Sequence, residues 1–93
     1  MKVKISYSKD VVKSIEKYKI ITYSEIEGLV RKFLLKFYHG QDINIDVKRL
    51  RGKYRNLIRI RKGNLKILIK VDVKGFILNI DVLKIDNRGK VYK

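Results

Sequence analysis

The sequence predicts an α+β fold in which an antiparallel, twisted sheet carries a helical hairpin on one face. Between residues 8 and 40, apolar residues recur at the spacing of helices; from residue 57 onward they alternate with polar residues, as in strands. A short strand pattern before the helices completes the order β-α-α-β-β-β. The 93 residues suffice for one core, so residues 1–93 are expected to form a single domain.

The N-terminal half contains one strand pattern and two helix patterns. Apolar and polar side chains alternate over residues 3–7, which predicts a strand with one buried face. Ser8 is the predicted N-cap of the first helix. Ser24 and Glu27 have the spacing of a capping box for the second helix, and Gly40 is its predicted end. The apolar residues of the second helix repeat at helical spacing: Ile26, Leu29, Val30, Phe33, Leu34 and Phe37.

The C-terminal half contains three strand patterns after a polar stretch over residues 41–53. They cover residues 57–61, 65–73 and 76–85. Gly63 and Gly75 mark the turns between them. The last pattern is apolar on both faces, as expected of a strand with a neighbour on each side.

Positive charge is concentrated in this second half. The chain has a net charge of +15, and residues 47–93 hold fifteen basic but only three acidic side chains. Such a field attracts polyanions, with RNA as the leading candidate. A Lys- and Ile-rich composition is the alternative explanation, but it would not confine the charge to one half. In the predicted strands the cations share one sheet face: Arg59, Arg61, Lys66 and Lys70.

A basic loop precedes the strands and extends the predicted RNA-binding set. It has five basic residues in eight: Lys48, Arg49, Arg51, Lys53 and Arg55. Tyr54 lies among them, and it either stacks on a base or anchors the loop to the core.

Several chemistries are excluded by composition. The chain has no cysteine and one histidine, so we expect no disulfide, no thiol nucleophile, no metal site and no cofactor. His39 is placed for a role at a helix end, and Asp42 and Asp46 for roles in a turn. No signal peptide or membrane-spanning pattern is present, which predicts a cytoplasmic protein.

Cleavage of RNA is the chemistry that the remaining cations and phenols can support. RNA carries its own nucleophile in the 2′-OH, so cleavage needs proton transfer and stabilisation of charge at phosphorus. Arg59, Arg61 and Arg88 are candidates for charge stabilisation, because the guanidinium fork suits phosphate oxygens. Lys66 and Tyr92 are candidates for proton transfer.

Three segments of the chain, in order after two helices, resemble the RelE/ParE toxin superfamily of toxin–antitoxin pairs. Residues 50–52 (Leu-Arg-Gly) are similar to the family's Leu-x-Gly loop. Residues 58–66 (IRIRKGNLK) are similar to its Tyr-Arg-Ile-Arg-x-Gly-Asp-Tyr-Arg hairpin, and residues 82–92 end in the family's Arg-x-x-Val-Tyr. The resemblance covers most of the chain.

The resemblance implies a RelE-like fold and a function. RelE-type members are ribosome-dependent endoribonucleases that cleave mRNA in the decoding A site without metal, and a cognate antitoxin protein binds them. The functional residues carried over by position are Arg59, Arg61, Lys66, Arg88 and Tyr92.

The chain departs from the family pattern at several of these positions. Ile58 and Leu65 replace the two hairpin tyrosines, Lys66 replaces the second hairpin arginine, and Asn87 replaces the histidine before the last arginine. Asp86 stands where some RelE members have a further arginine. Two alternatives therefore stay open: a ParE-type toxin that binds DNA gyrase without nuclease activity, and a non-catalytic family member that binds RNA.

Overall fold

A five-stranded sheet with two helices on one face makes up the computed structural model of the protein, which describes residues 2–54 and 56–87. In chain order, the elements are β1 (Lys2–Tyr7), α1 (Lys9–Glu16), α2 (Tyr23–Phe37), β2 (Asp46–Arg49), a 3-10 turn (Gly52–Tyr54), β3 (Leu57–Lys62), β4 (Leu65–Lys74) and β5 (Ile77–Asn87). Neither of these helices is long and apolar enough to cross a membrane, as far as the described residues go.

The strand order of the sheet is β1-β5-β4-β3-β2. Strands β2 to β5 pair antiparallel, whereas β1 lies parallel to β5 at one edge. The predicted α+β class is confirmed, but the sheet is mixed and has a fifth strand where a polar loop was expected. Alternation has the same period in parallel and antiparallel strands, so it gives no pairing direction. Strand β2 has only four residues, and Val47 is its one apolar side chain.

Helix α1 begins at the residue that the sequence predicts. The Oγ of Ser8 accepts a hydrogen bond from the N–H of Val11 at 3.2 Å, which confirms Ser8 as the N-cap. The same hydroxyl donates to the carbonyl oxygen of Leu83 at 2.9 Å. One side chain therefore caps the helix and ties its start to β5.

Helix α2 begins two residues earlier than predicted. The Oγ1 of Thr22 accepts from the N–H of Glu25 at 3.1 Å, and the Glu25 carboxylate accepts from the N–H of Thr22 at 3.0 Å. This reciprocal pair is the capping box. The predicted box at Ser24 and Glu27 was wrong, because the same three-residue spacing occurs twice and Ser24 already lies inside the helix.

The core lies between the helices and the inner face of the sheet. Burial of Ile60, Ile67 and Ile69 confirms the alternation predicted for the first hairpin. The complete set of buried hydrophobic side chains among the described residues is Val11, Ile15, Ile21, Ile26, Leu29, Val30, Phe33, Ile60, Ile67, Ile69, Leu78, Ile80 and Val82.

A β-bulge in β5 breaks the alternation of the last strand. Leu68 is opposite Lys84 while Ile69 is opposite Val82, so Leu83 is the extra residue. Beyond the bulge, Ile85 packs against the core and Lys84 is exposed. Without the bulge, strict alternation would turn Lys84 toward the helices.

Candidate nucleic-acid interface

The sheet face turned away from the helices carries a group of basic side chains from four adjacent strands. We call it the cationic patch, and it consists of Lys48, Arg59, Arg61, Lys66 and Lys84. Because side chains alternate between the two faces of a strand, the arginines on either side of buried Ile60 point to the outer face. In β4, Lys66 precedes the buried Ile67 and therefore also points to the outer face.

Strand register brings the members of the cationic patch together. Lys48 is opposite Arg59, and Arg61 is opposite Lys66. Side chains directly opposite in a sheet have Cβ atoms about 5 Å apart, so these cations are neighbours. Three of the five predicted catalytic residues, Arg59, Arg61 and Lys66, thus share one surface.

Lys84 is a member that sequence reasoning missed. Counting by twos from the buried Val82 places Lys84 on the inner face, and only the bulge at Leu83 moves it outward. The available signal was Ile85, an apolar residue that falls out of phase with Val82.

Arg59 is the most constrained cation of the patch. Its side chain is 19% exposed, and its Nη2 lies 3.4 Å from Oδ1 of Asp46. Its Nε is buried and meets no acceptor among the described residues. Asp46, expected in a turn, instead begins β2 and makes this ion pair. The arginine therefore keeps an unused donor in addition to its charge.

Carboxylates also lie on the outer face, so its charge is mixed rather than purely cationic. Asp86 is opposite Lys66 and Asp81 is opposite Lys70. Lys70 lies on the same face as the cationic patch, opposite Leu57. Opposite charges across a strand pair stabilise the sheet by up to about 1 kcal/mol, so part of this charge has a structural role.

The other predicted site residues are distributed differently. Arg49 is opposite Ile58 and lies on the helix side of the sheet, away from the patch. Arg51 and Lys53 are exposed after β2. Three predicted residues lie outside the described part of the chain: Arg55, Arg88 and Tyr92. For Tyr54, the backbone is described but the side chain is not.

A second titratable cluster lies on the helix side, apart from the patch. The rings of Tyr7 and Tyr23 meet edge to face at 5.0 Å. The hydroxyl of Tyr23 donates to the Glu16 carboxylate at 2.8 Å, and this bond raises the pKa of Tyr23. Burial, followed by the charge of Glu27, raises the pKa of Tyr7. The Tyr7 hydroxyl makes no hydrogen bond of standard geometry within the described part of the chain, although Glu27 is near enough to raise its pKa. Both phenols therefore stay protonated at neutral pH.

Solved structures of toxins share this fold over nearly the whole chain. A chain of the archaeal RelE–RelB complex from Pyrococcus horikoshii OT3 is 23% identical with a TM-score of 0.58, and the match covers 98% of this chain and 100% of that chain. A chain of the RelB–RelE antitoxin–toxin complex from Methanococcus jannaschii is 22% identical with a TM-score of 0.57, covering 89% of each.

The YoeB/ParE toxin from Agrobacterium tumefaciens is 11% identical with a TM-score of 0.62, covering 95% of this chain and 99% of that chain. No protein-family model matches the sequence, and no curated protein matches it significantly. The RelE-like fold that the sequence predicts is confirmed by the structural matches.

Proposed function

We propose that this chain is the toxin of a type II toxin–antitoxin pair and a ribosome-dependent mRNA endoribonuclease of RelE type. The observation that carries the proposal is the adjacency of Arg59, Arg61 and Lys66 on one outer sheet face. These positions are the ones that the resemblance to RelE toxins assigns to catalysis. The same fold occurs in the structures of the comparison, one of which is described as an antitoxin–toxin complex and another as a RelE–RelB complex.

The proposed reaction uses the RNA's own 2′-oxygen as the nucleophile and no metal. A new O2′–P bond forms while the P–O5′ bond breaks. Arg59 and Arg61, with Arg88, stabilise the negative charge that develops on the phosphate oxygens. Lys66 and Tyr92 are the proposed proton-transfer groups, one removing the 2′-OH proton and the other protonating the leaving 5′-oxygen. The guanidinium fork of each arginine suits phosphate oxygens.

The partners that follow from the proposal are mRNA on the ribosome and a cognate antitoxin. Basic side chains of the patch, with Lys70 and the basic residues after β2, would hold the RNA backbone. An antitoxin is expected to be acidic, because it has to bind a chain of net charge +15.

The test is to incubate the purified chain with translating ribosomes and to map the new 5′ ends of the mRNA. We expect cuts in phase with codons in the A site.

Arg61→Ala should slow cutting by about 10- to 1,000-fold, the typical cost of removing a group that stabilises transition-state charge. Arg88→Ala should abolish cutting and preserve the fold. Arg31→Ala is the matched control, since Arg31 is exposed on α2 and lies outside the patch.

The other outcomes separate the alternatives. Absence of codon-phased cuts at every dose contradicts the RelE-type proposal. Inhibition of DNA gyrase supercoiling without cutting would instead identify a ParE-type toxin. Salt-sensitive RNA binding without either activity would identify a non-catalytic RNA-binding protein.

A further inference from the structure

Exposed apolar side chains gather at the end of the sheet that carries the β4–β5 turn. Among the described residues, six of the eight large hydrophobic side chains that are exposed lie at this end. We call five of them the apolar end: Val3, Phe37, Tyr38, Val73 and Phe76. Phe76 is 86% exposed, an unusual position for a large aromatic ring unless it meets a partner.

The two aromatic rings from the end of α2 are held in place before any partner binds. The buried ring of Phe33 lies 5.3 Å from the ring of Phe37 and 6.3 Å from that of Tyr38. Both outer rings nevertheless remain about half exposed. Aromatic side chains that are exposed and already ordered are typical anchors of protein interfaces, because little rotamer entropy is lost on binding.

Tyr38 joins three depressions at this end of the molecule. One of about 450 Å³ extends from Tyr38 to Val73, and one of about 370 Å³ includes Phe37. A third, of about 240 Å³, extends from Tyr38 to Val3. Four of the five members of the apolar end, all except Phe76, therefore line depressions that share Tyr38.

A stretch of β4 without a second neighbour among the described strands borders the depression of about 450 Å³. Strand β3 begins with Leu57 opposite Lys70, so the following residues of β4, 71–74, pair with β5 alone among the described strands. No described strand pairs with their backbone groups on the side away from β5, and an added chain segment typically binds along such an edge.

The apolar end is remote from the cationic patch. Lys66 and Val73 are seven residues apart on β4, a separation of roughly 23 Å at the rise of a strand. They also lie on opposite faces of the sheet, since Lys66 is outer and Val73 is in phase with the buried Ile67 and Ile69. A partner segment at the apolar end leaves the patch uncovered.

Charge around the apolar end selects the kind of partner. Among the described residues, two carboxylates lie close to the apolar end, Asp72 beside Val73 and Glu27 in the depression that Val3 lines. The exposed cations around it are Lys2, Arg49, Lys70 and Lys74. With a net charge of +15 on each chain, two copies of this protein would repel one another. An acidic partner would be attracted.

We infer that the apolar end is the docking surface for an acidic segment of the antitoxin, whose apolar side chains enter the depressions around Tyr38. This inference rests on the proposed toxin function. The segment runs beside residues 71–74 of β4, on the side where no described strand pairs, and places its carboxylates against the surrounding cations. Docking here anchors the antitoxin without contact to Arg59, Arg61 or Lys66, so binding of the antitoxin does not depend on the proposed catalytic residues of the cationic patch.

The test compares binding and toxicity in the same variants. The probes are the purified products of the two reading frames that flank the gene, and their affinity for the full chain is measured by calorimetry. We expect one acidic product to bind. Phe76→Ser and Tyr38→Ser should each weaken its binding by at least tenfold. The matched control is Tyr18→Ser, because Tyr18 is an exposed aromatic residue outside the apolar end. Growth arrest on expression without the partner should be the same in all variants.

Three results would overturn the inference. One is unchanged affinity in Phe76→Ser and Tyr38→Ser, with folding verified by circular dichroism. Another is self-association of the wild-type chain that Phe76→Ser abolishes, because the surface would then be a homodimer interface. The third is failure of both flanking products to bind. Loss of the proposed nuclease function is a separate outcome: it would appear as absent RNA cutting with partner binding intact.

Discussion

Arg59 combines a full positive charge with a side chain that is largely buried on the outer sheet face. Its ion pair with Asp46 is 3.4 Å long, and the Asp46 side chain is about half exposed, so the pair contributes little to stability. Its buried Nε has no acceptor among the described residues, and a buried donor without an acceptor costs free energy. The same residue is therefore a weak structural contact and a strong candidate ligand for RNA.

Tyr7 leads to a prediction about alkaline stability. Its pKa is raised above the ordinary value of 10.0, first by burial and then by Glu27. As the pH rises past 10, the unfolded chain loses this proton before the folded chain does. The stabilisation is therefore complete below pH 10 and is lost as the pH rises through the folded pKa. Tyr7→Phe should make the decline in unfolding free energy above pH 10 shallower.

The measurement is urea unfolding of both proteins at several pH values from 7 to 11. At pH 7, Tyr7→Phe should change the unfolding free energy little, because the Tyr7 hydroxyl makes no hydrogen bond of standard geometry among the described residues. Tyr18→Phe controls for loss of an exposed phenol. Identical pH profiles for wild type and Tyr7→Phe would refute this account of Tyr7.

At the scale of elements, the start of α2 allows two similar hydroxyl residues to be compared. Thr22→Ala removes the side chain that caps the helix and should lower the unfolding free energy by about 1 kcal/mol. Ser24 is the N-cap predicted from the sequence, but it lies inside the helix. Ser24→Ala should therefore change the unfolding free energy by less than about 0.5 kcal/mol. Thermal or urea unfolding measures both. Equal losses in the two variants would place the cap elsewhere.

Glycine substitutions test a helix and a hairpin with the same chemical change. Gly28 lies inside α2, and a Cβ there meets no atom within 4 Å. Gly28→Ala should therefore stabilise the protein by about 0.5–1 kcal/mol. Gly63 opens the β3–β4 turn with a φ of 59°, and Gly63→Ala should destabilise it by about 1 kcal/mol. Urea unfolding gives both values, and a shared sign would contradict the assigned backbone conformations.

For the whole molecule, the uneven charge predicts a strong dependence of RNA affinity on salt. Each phosphate contact contributes about −0.7 to the slope of log affinity against log salt for a single strand. Lys84→Ala should reduce the steepness of that slope by about this amount, because the bulge places Lys84 in the cationic patch. Lys32→Ala, on the exposed side of α2, should leave the slope unchanged. Titration of labelled single-stranded RNA at several salt concentrations measures it. Equal slopes for Lys84→Ala and wild type would exclude Lys84 from the interface.

The sequence by itself determined the α+β class, the phase of the first hairpin and the cationic character of its outer face. These features depend on local periodicity, which is visible in the spacing of apolar residues at every second position: Ile58 and Ile60, then Ile67 and Ile69. Arg59, Arg61 and Lys66 could be placed together for the same reason, since a two-residue turn fixes the register across it.

Only the tertiary structure decided three features of the molecule. They are the pairing of β1 with β5, the positions of Lys48 and Lys84 in the cationic patch, and the surface for a partner. Parallel pairing of β1 and the bulge at Leu83 depend on which strands become neighbours, and local alternation carries no information about that. The bulge then moves Lys84 outward, and strand β2 brings Asp46 to Arg59. The apolar end likewise joins residues from β1, α2, β4 and a turn. Its members are far apart in sequence, and only the packing of these elements places them next to one another on the surface.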